Sequence, residues 1–425
     1  MRSLYPEPLL MMDFSSRLPL ELLQKVFRHY LSDRKIPVQS FDHSDGLWVL
    51  GQVSSTWRCA TLSDSTFWSS INGRFTHPFD RPINTIDVPE TRLRAHFHFN
   101  EKNDDIYICS VSNGVVESPA CIISRSRVTP LSPSLHFPMS RPPRTIPSTW
   151  RTFCSLLFTE SHRFQSFLLV APTSVWEEFS RIPPTRLPLL RTLHATLETG
   201  SMLVPVTRCC PSLIGLEIGI HPPIADITYF DGSCIQMAQL RRLTLHTPSF
   251  LDSITAPNLY SLTLIEDIAS IHSPRTLFPR LSNFLDRSKC ALTALDLFWH
   301  GTLDELFVIL SNMPTLESLS CHPNLDMAFY ERMKLPSSIL PMLRTFSLQH
   351  RTTLSDRLFA SFFFHTDAFP LIDMVESRLA GGMLESVNVG RLMVEFLSKG
   401  EKRKLTALNT LPRVKVDIVQ VPVIH

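Results

Sequence analysis

Pro257-Asn258-Leu259-Tyr260-Ser261-Leu262-Thr263-Leu264 is the stretch whose reading decides the fold. Leu262 and Leu264 alternate with Ser261 and Thr263, the period of a short strand with one buried face. Leu259 stands three residues ahead, where it can tuck the entering turn into the core. The unit is L-x-x-L-x-L, preceded here by Pro257.

The unit recurs on both sides. Upstream lie Leu189-Leu190-Arg191-Thr192-Leu193, Pro211-Ser212-Leu213-Ile214-Gly215-Leu216-Glu217-Ile218 and Leu240-Arg241-Arg242-Leu243-Thr244-Leu245. Downstream lie Leu292-Thr293-Ala294-Leu295-Asp296-Leu297, Pro314-Thr315-Leu316-Glu317-Ser318-Leu319 and Leu343-Arg344-Thr345-Phe346-Ser347-Leu348, with Leu384-Glu385-Ser386-Val387-Asn388-Val389 as a late copy. Successive copies lie about 19 to 41 residues apart, which leaves room for a helix between many of them. The clearest helix is Asp304 to Leu310, started by Thr302 or Leu303 and ended before Pro314. Ser282 to Arg287, Asp356 to Phe363 and Gly390 to Leu397 read similarly. Val414-Lys415-Val416-Asp417-Ile418-Val419 alternates and reads as a last, edge strand. The basic run Lys399 to Lys404 reads as a solvated helix end or turn. Strand, turn, helix and turn, repeated, are expected to stack into a solenoid with a curved parallel sheet, since no single repeat can bury its own face. The spacing is looser than the roughly 20–29 residues of a regular leucine-rich repeat.

The N-terminal part has a different period. Pro19 suits a helix start, and Glu21 meets the positive end of the helix dipole. Leu22, Leu23, Val26, Phe27 and Tyr30 follow at helical spacing and read as one apolar face. A polar break from Ser32 to Gly46 precedes a second helix, on which Leu50, Val53, Trp57 and Ala60 read as one face. Phe67-Trp68 closes the unit. Two helices and this trailing pair cannot bury so many large apolar groups among themselves. They must pack on the rest of the chain or on a partner.

The residues Leu18-Pro19-Leu20-Glu21-Leu22-Leu23-Gln24-Lys25-Val26-Phe27, then Leu50-Gly51-Gln52-Val53-Ser54-Ser55-Thr56-Trp57-Arg58, then Phe67-Trp68-Ser69-Ser70-Ile71 resemble the F-box. More narrowly they look like the F-box-like domains of mushroom-type basidiomycete fungi. The passages Ser161 to Phe167 and Arg287 to Leu295 are similar to the repeat half of the same proteins, a degenerate leucine-rich-repeat region. Two features depart from the pattern: a longer segment between the helices, and Ser54 where those fungal proteins often have Cys. The resemblance implies an α/β chain in which a small helical F-box module is followed by an irregular leucine-rich-repeat solenoid. It implies a substrate-recognition subunit of a Skp–cullin–F-box type ubiquitin ligase, which is no enzyme itself. Its expected partners are a Skp-type adaptor, through it a cullin, and a target protein held by the repeats. Position by position, the adaptor-binding residues would be Leu18, Pro19, Leu22, Leu23, Val26, Phe27, Leu50, Val53, Trp57 and Trp68. The competing reading is a non-catalytic scaffold whose N-terminal helices cap the repeat array.

Composition bounds the rest. A chain of 425 residues is too long for one compact core. The expected divisions are a flexible lead at 1–15, the F-box-like helices at 16–72, a variable connecting region at 73–149, partly strand and partly disordered, and the repeat domain at 150–425. Within 73–149, Ile83 to Val88 and Ile106 to Val111 are strand-like, and Val128 to Pro147 reads as an extended or disordered connection. Net charge is +2, which indicates no strongly basic nucleic-acid surface. Thirteen glycines include no GxxxxGK[ST] or GxGxxG phosphate loop. Nine cysteines without CxxC pairs suggest a reducing compartment, and Cys209-Cys210 reads as core packing. No signal peptide and no apolar run of bilayer length stand out, so the expectation is cytoplasm or nucleus with no membrane contact. There is no HExxH, His96-Phe97-His98 lacks metal-ligand spacing, and no G-x-S-x-G elbow is present; no metal, cofactor or catalytic residue is expected. An enzyme hidden in 73–149 would need a deep pocket with convergent polar groups.

Overall fold

The structure is a computed structural model of the chain. It describes residues 18–32, 46–74, 98–99, 106–107, 126, 129–137, 148–220, 234–265, 277–298, 302–321, 327–335, 339–348, 369–390, 399–408 and 415–419. The chain is mixed α/β, with a large parallel sheet. It divides into two compact units, Met1–Leu190 and Arg191–His425.

In the second unit each copy of the leucine unit becomes a strand. Thr192–Leu197, Gly215–Ile220, Arg242–Leu245, Ser261–Ile265, Ala294–Phe298, Ser318–Cys321, Thr345–Leu348, Ser386–Gly390 and Lys415–Val419 pair in chain order, all parallel. The register aligns like with like. Leu193, Leu216, Leu243, Leu262, Leu295, Leu319, Phe346 and Val387 form one row across the sheet, each 2% exposed or less. One residue along, the row on the other face reads His194, Glu217, Thr244, Thr263, Asp296, Ser320, Ser347 and Asn388. The side-chain period of two is what separates the apolar and polar rows.

The leading leucine has its own task. Leu213, Leu240, Leu259, Leu292, Leu316, Leu343 and Leu384 are all buried. Beside them runs a continuous backbone spine. The carbonyls of Ile214, Arg241, Tyr260, Thr293, Glu317 and Arg344 each accept two consecutive N–H groups of the next copy, at 2.8–3.1 Å. The buried turn thus satisfies its own polar groups, as it must when it is taken out of water.

What fills the gap between strands follows from its length. The closely spaced copies at Leu240 and Leu259 are joined through a 3-10 turn, Pro248–Ser253. The wider gap before Leu292 holds the helix Leu277–Ser288, which buries Leu277, Phe278, Leu281 and Phe284. Leu303–Ser311 is the helix expected there, with Asp304 and Glu305 in its first turn and the Thr302 hydroxyl donating to Glu305 at 2.7 Å. Helices Met327–Met333 and Phe369–Ala380 follow. Arg378, fully buried, donates to the carbonyls of Met333 at 2.7 Å, Ile339 at 2.7 Å and Leu340 at 2.9 Å. Burial holds its guanidinium below the usual arginine value. Arg287 ties the Leu251 and Ile254 carbonyls in the same manner. Cys209 and Cys210 are buried thiols, and burial pushes both up, Cys210 further through its neighbour Cys209. The basic run lies in the helix Lys399–Leu408.

In the first unit, strands Ser70–Arg74, Ser132–His136 and Ser166–Val170 are parallel neighbours. Ser132–His136 corrects the sequence reading, which takes Val128 to Pro147 as an extended or disordered connection. Pro133 disguises the strand, because proline is rare inside sheets; its alternation is nonetheless regular, with Pro133 and Leu135 buried, Ser132 and Ser134 half-buried and His136 exposed. Helices Ser148–Thr159 and Thr173–Ser180 complete this part. Of Ile106 to Val111, Ile106–Tyr107 is a strand, antiparallel to His98–Phe99. The 1–15 lead, Ile83 to Val88, His96-Phe97, most of Val128 to Pro147, Asp356 to Phe363 and most of Gly390 to Leu397 lie outside the described residues.

Candidate docking face

The helix Leu20–Ser32 (α1) begins after Pro19, whose carbonyl accepts from Leu22 at 3.0 Å and Leu23 at 3.1 Å. Glu21 occupies its first turn, the favourable sign for the helix dipole, and His29 its last. The polar break precedes not one helix but two, Gly46–Val53 (α2) and Ser55–Ser63 (α3). Ser54 makes the break. Its backbone is extended, at φ −156° and ψ 168°, and its hydroxyl accepts from Trp57 N–H at 3.2 Å, a serine N-cap. Val53 and Trp57 therefore belong to different helices and do not share a face, contrary to the sequence reading.

The module has a small core of its own. Leu23, Phe27 and Ala60 are buried together, with Leu20, Leu50, Trp57 and Phe67 packed against them. The Phe27 and Trp57 rings lie 4.8 Å apart and the Phe27 and Phe67 rings 6.5 Å. Trp68, buried, donates its indole N–H to the Thr61 carbonyl at 2.9 Å. Polar ties join α1 to the end of α3. Gln24 donates to the Ala60 carbonyl at 3.3 Å and to the Ser63 hydroxyl at 3.0 Å. Arg28 donates to Asp64, at 3.0 Å from its Nε and again from its Nη2, and lies over the Phe67 ring. Asp64 also accepts from the Thr66 N–H at 3.0 Å and the Thr66 hydroxyl at 2.6 Å. Burial alone would raise its carboxyl, but Thr66 and Arg28 outweigh it and hold the group below the ordinary aspartate value.

The ten expected adaptor-binding residues therefore fall into three sets. Leu18, Pro19, Leu22, Val26 and Val53 are exposed, with Leu22 at 47%, Val26 at 55% and Val53 at 59%. Leu50 and Trp57 are half-buried against the module core. Leu23, Phe27 and Trp68 are buried at 2%, 1% and 3%, so in this conformation they hold the module together and do not present themselves to a partner. The reason is angular. Leu22 and Leu23 differ by about 100° around the helix, so a stripe read as one face is two adjacent faces. The inner one, Leu23 and Phe27, meets α3; the outer one, Leu22, Val26 and Tyr30 at four-residue spacing, meets solvent.

Two further residues join this exposed surface. Tyr30 continues the outer stripe at 52% exposure, and Val49, also exposed, stands one helical turn before Val53 on α2. Four-residue spacing is the signal that finds both. Trp57 adds an oddity: its indole N–H is buried with no hydrogen-bond partner among the described residues.

No group of three or more His, Cys, Asp or Glu among the described residues could hold a metal ion. An open cavity of about 220 Å³ lies against the Thr173–Ser180 helix; of its charged lining, Glu178 is paired to Arg181 at 3.0 Å. No helix among the described residues is long and apolar enough to cross a membrane. No protein-family model matches the chain, and no curated protein matches it.

Proposed function

We propose that this protein is a substrate-recognition subunit of a Skp–cullin–F-box type ubiquitin ligase. Its N-terminal helices form an F-box-like module that docks on a Skp-type adaptor, and the adaptor brings a cullin. The strand ladder of Arg191–His425 is an irregular leucine-rich-repeat solenoid that holds a target protein. The protein performs no chemistry of its own; a rate gain comes from holding the target near the ubiquitin donor. One observation carries this reading. The α1 helix has an inner face that completes a core and an outer stripe, Leu22, Val26 and Tyr30, left in solvent. Large apolar groups aligned on one exposed helix face are what a helix-recognising partner buries.

One observation favours the competing scaffold reading. The module runs straight into the strands of the first unit: Ser132 N–H donates to the Ser69 carbonyl at 2.9 Å, and Ser65 and Thr129 hydroxyls meet at 2.7 Å. Helices fused in this way also suit a cap.

The test is co-purification with a Skp-type adaptor, wild type beside Leu22→Asp plus Val26→Asp. Both residues are exposed, so the variant is expected to fold as wild type does, checked by its melting curve, and to lose the adaptor. A wild type that folds but captures no adaptor overturns the receptor reading and leaves the scaffold.

A further inference from the structure

The first unit carries an open cavity of about 220 Å³ where the helices Ser148–Thr159 and Thr173–Ser180 end. Its apolar lining is Phe158, Ile182 and Pro183, and its charged lining is Glu178, Arg181 and Arg186. Both walls are fixed before anything binds. Phe158, 8% exposed, meets the rings of Phe179 at 5.7 Å and Phe167 at 6.3 Å, edge to face. Ile182, 7% exposed, donates its N–H to the Phe179 carbonyl at 3.0 Å. Pro183 and Pro184 stiffen the turn beyond it, which the Arg186 N–H closes on the Pro183 carbonyl at 2.8 Å. A pocket that is already ordered loses less affinity to entropy.

Size and edges select the occupant. A dry cavity of about 150 Å³ takes one benzene ring, and pockets for drug-sized or cofactor-sized molecules start near about 300 Å³. The space therefore suits one phenol or indole. The Arg181 guanidinium is 66% exposed and is held by Glu178 at 3.0 Å, and Arg186 is exposed as well. Guanidinium planes at the rim of an apolar slot favour the face of an aromatic ring over an aliphatic chain. Two neighbouring groups are poorly placed for reaction. Thr159, also in the lining, donates its hydroxyl to the Leu156 carbonyl at 2.6 Å. Cys154, next to the lining residue Ser155, is a buried thiol that burial, and then the Glu178 charge, push up to about 12. Neither supplies a nucleophile, so the lining is suited to holding a group.

We propose that this cavity is an anchor site for one aromatic side chain of a partner polypeptide. The ring lies on Phe158 and Ile182, with its face against a rim guanidinium. The site shares no residue with the outer stripe of α1, and its binding does not depend on the adaptor reading.

The experiment is fluorine NMR with the full chain and N-acetyl-fluorotryptophanamide, whose line broadens on binding. A single side chain is expected to bind with a roughly millimolar dissociation constant, which this readout detects. N-acetyl-leucinamide is expected to compete at least about threefold less well, for want of a ring face. Ser155→Trp, at an exposed lining position, places a ring of the chain's own in the space. It is expected to melt as wild type does and to bind the probe at least about tenfold less, because the space is already filled. Arg181→Gln plus Arg186→Gln is expected to weaken binding at least about threefold, from the loss of both rim guanidiniums. Leu22→Asp plus Val26→Asp is expected to bind the probe as wild type does, which separates this site from adaptor docking. The proposal is overturned if wild type does not broaden the probe, if Ser155→Trp or the double arginine variant binds it as wild type does, if the Leu22 and Val26 variant abolishes binding, or if the leucine amide competes equally.

Discussion

Two helices of nearly equal length show how far apolar periodicity reaches. The α1 helix has 13 residues and Leu277–Ser288 has 12, and both place apolar groups at three- and four-residue spacing. In Leu277–Ser288 those groups, Leu277, Phe278, Leu281 and Phe284, are at most 3% exposed. In α1 they divide: Leu23 and Phe27 are inside, while Leu22, Val26 and Tyr30 lie in solvent. Periodicity says that a face is to be covered. It does not say by what, and a helix with two apolar faces needs two different covers.

The sharpest way to break this contrast is truncation. Phe27→Ala is expected to destabilise the first unit by about 3–5 kcal/mol, and Leu264→Ala the second by about 2–5 kcal/mol, since both empty packed cores. Leu22→Ala removes a group already in water and is expected to stay within about 0.5 kcal/mol. Urea unfolding measures all three. A Leu22→Ala variant as damaged as Phe27→Ala would mean that the outer stripe of α1 is covered by this chain, and the contrast would vanish.

A smaller effect separates the polar ties of the module from its apolar core. The folded-state value of Asp64 is depressed, so its ion contributes stability above the unfolded value of 3.8, and this is lost as pH falls through the lower folded value. Wild type is therefore expected to exceed Asp64→Asn by about 1 kcal/mol at neutral pH, a modest figure because Arg28 is half exposed and screened. The gap should close below about pH 4. A gap independent of pH in thermal melts would assign the loss to shape rather than charge.

The smallest effect concerns the polar row of the sheet. Ser320 and Ser347 pair in register, both 4% exposed, and their hydroxyls have no hydrogen-bond partner among the described residues. Ser320→Ala and Ser347→Ala are each expected to be neutral or to stabilise by up to about 1 kcal/mol, since a buried hydroxyl without a partner costs more than a methyl group. A loss beyond about 1 kcal/mol in either melting curve would reveal a partner for that hydroxyl.

Much of the ladder was legible in the sequence because its signal is local. Leu259, Leu262 and Leu264 sit within six residues, and the turn, the strand and the buried face all follow from their spacing. All eight copies of the unit lie on or lead directly into strands, and the alternating Val414 to Val419 run ends the ladder. The strand Ser132–His136 escaped because Pro133 argues locally against it, and only its neighbours on both sides make it a strand. Of the proposed docking residues, the sequence supplied the apolar set on α1, but it took Leu50 to Ala60 as one helix and missed the Ser54 cap that divides it. It could not divide Leu22 from Leu23 or Val26 from Phe27, since membership of a stripe is a matter of sequence and its depth is a matter of what packs above it.

The sequence by itself determined the strand positions, the turn leucines and the apolar helices, because each depends on residues within one or two turns of chain. Only the tertiary structure decided which apolar face of α1 is left in water, because that depends on where Ala60 and Phe67 arrive. It alone brought Glu217 between His194 and His246, which are 23 and 29 residues away along the chain. Charge balance within a fold is a property of register, and register exists only after the strands have met.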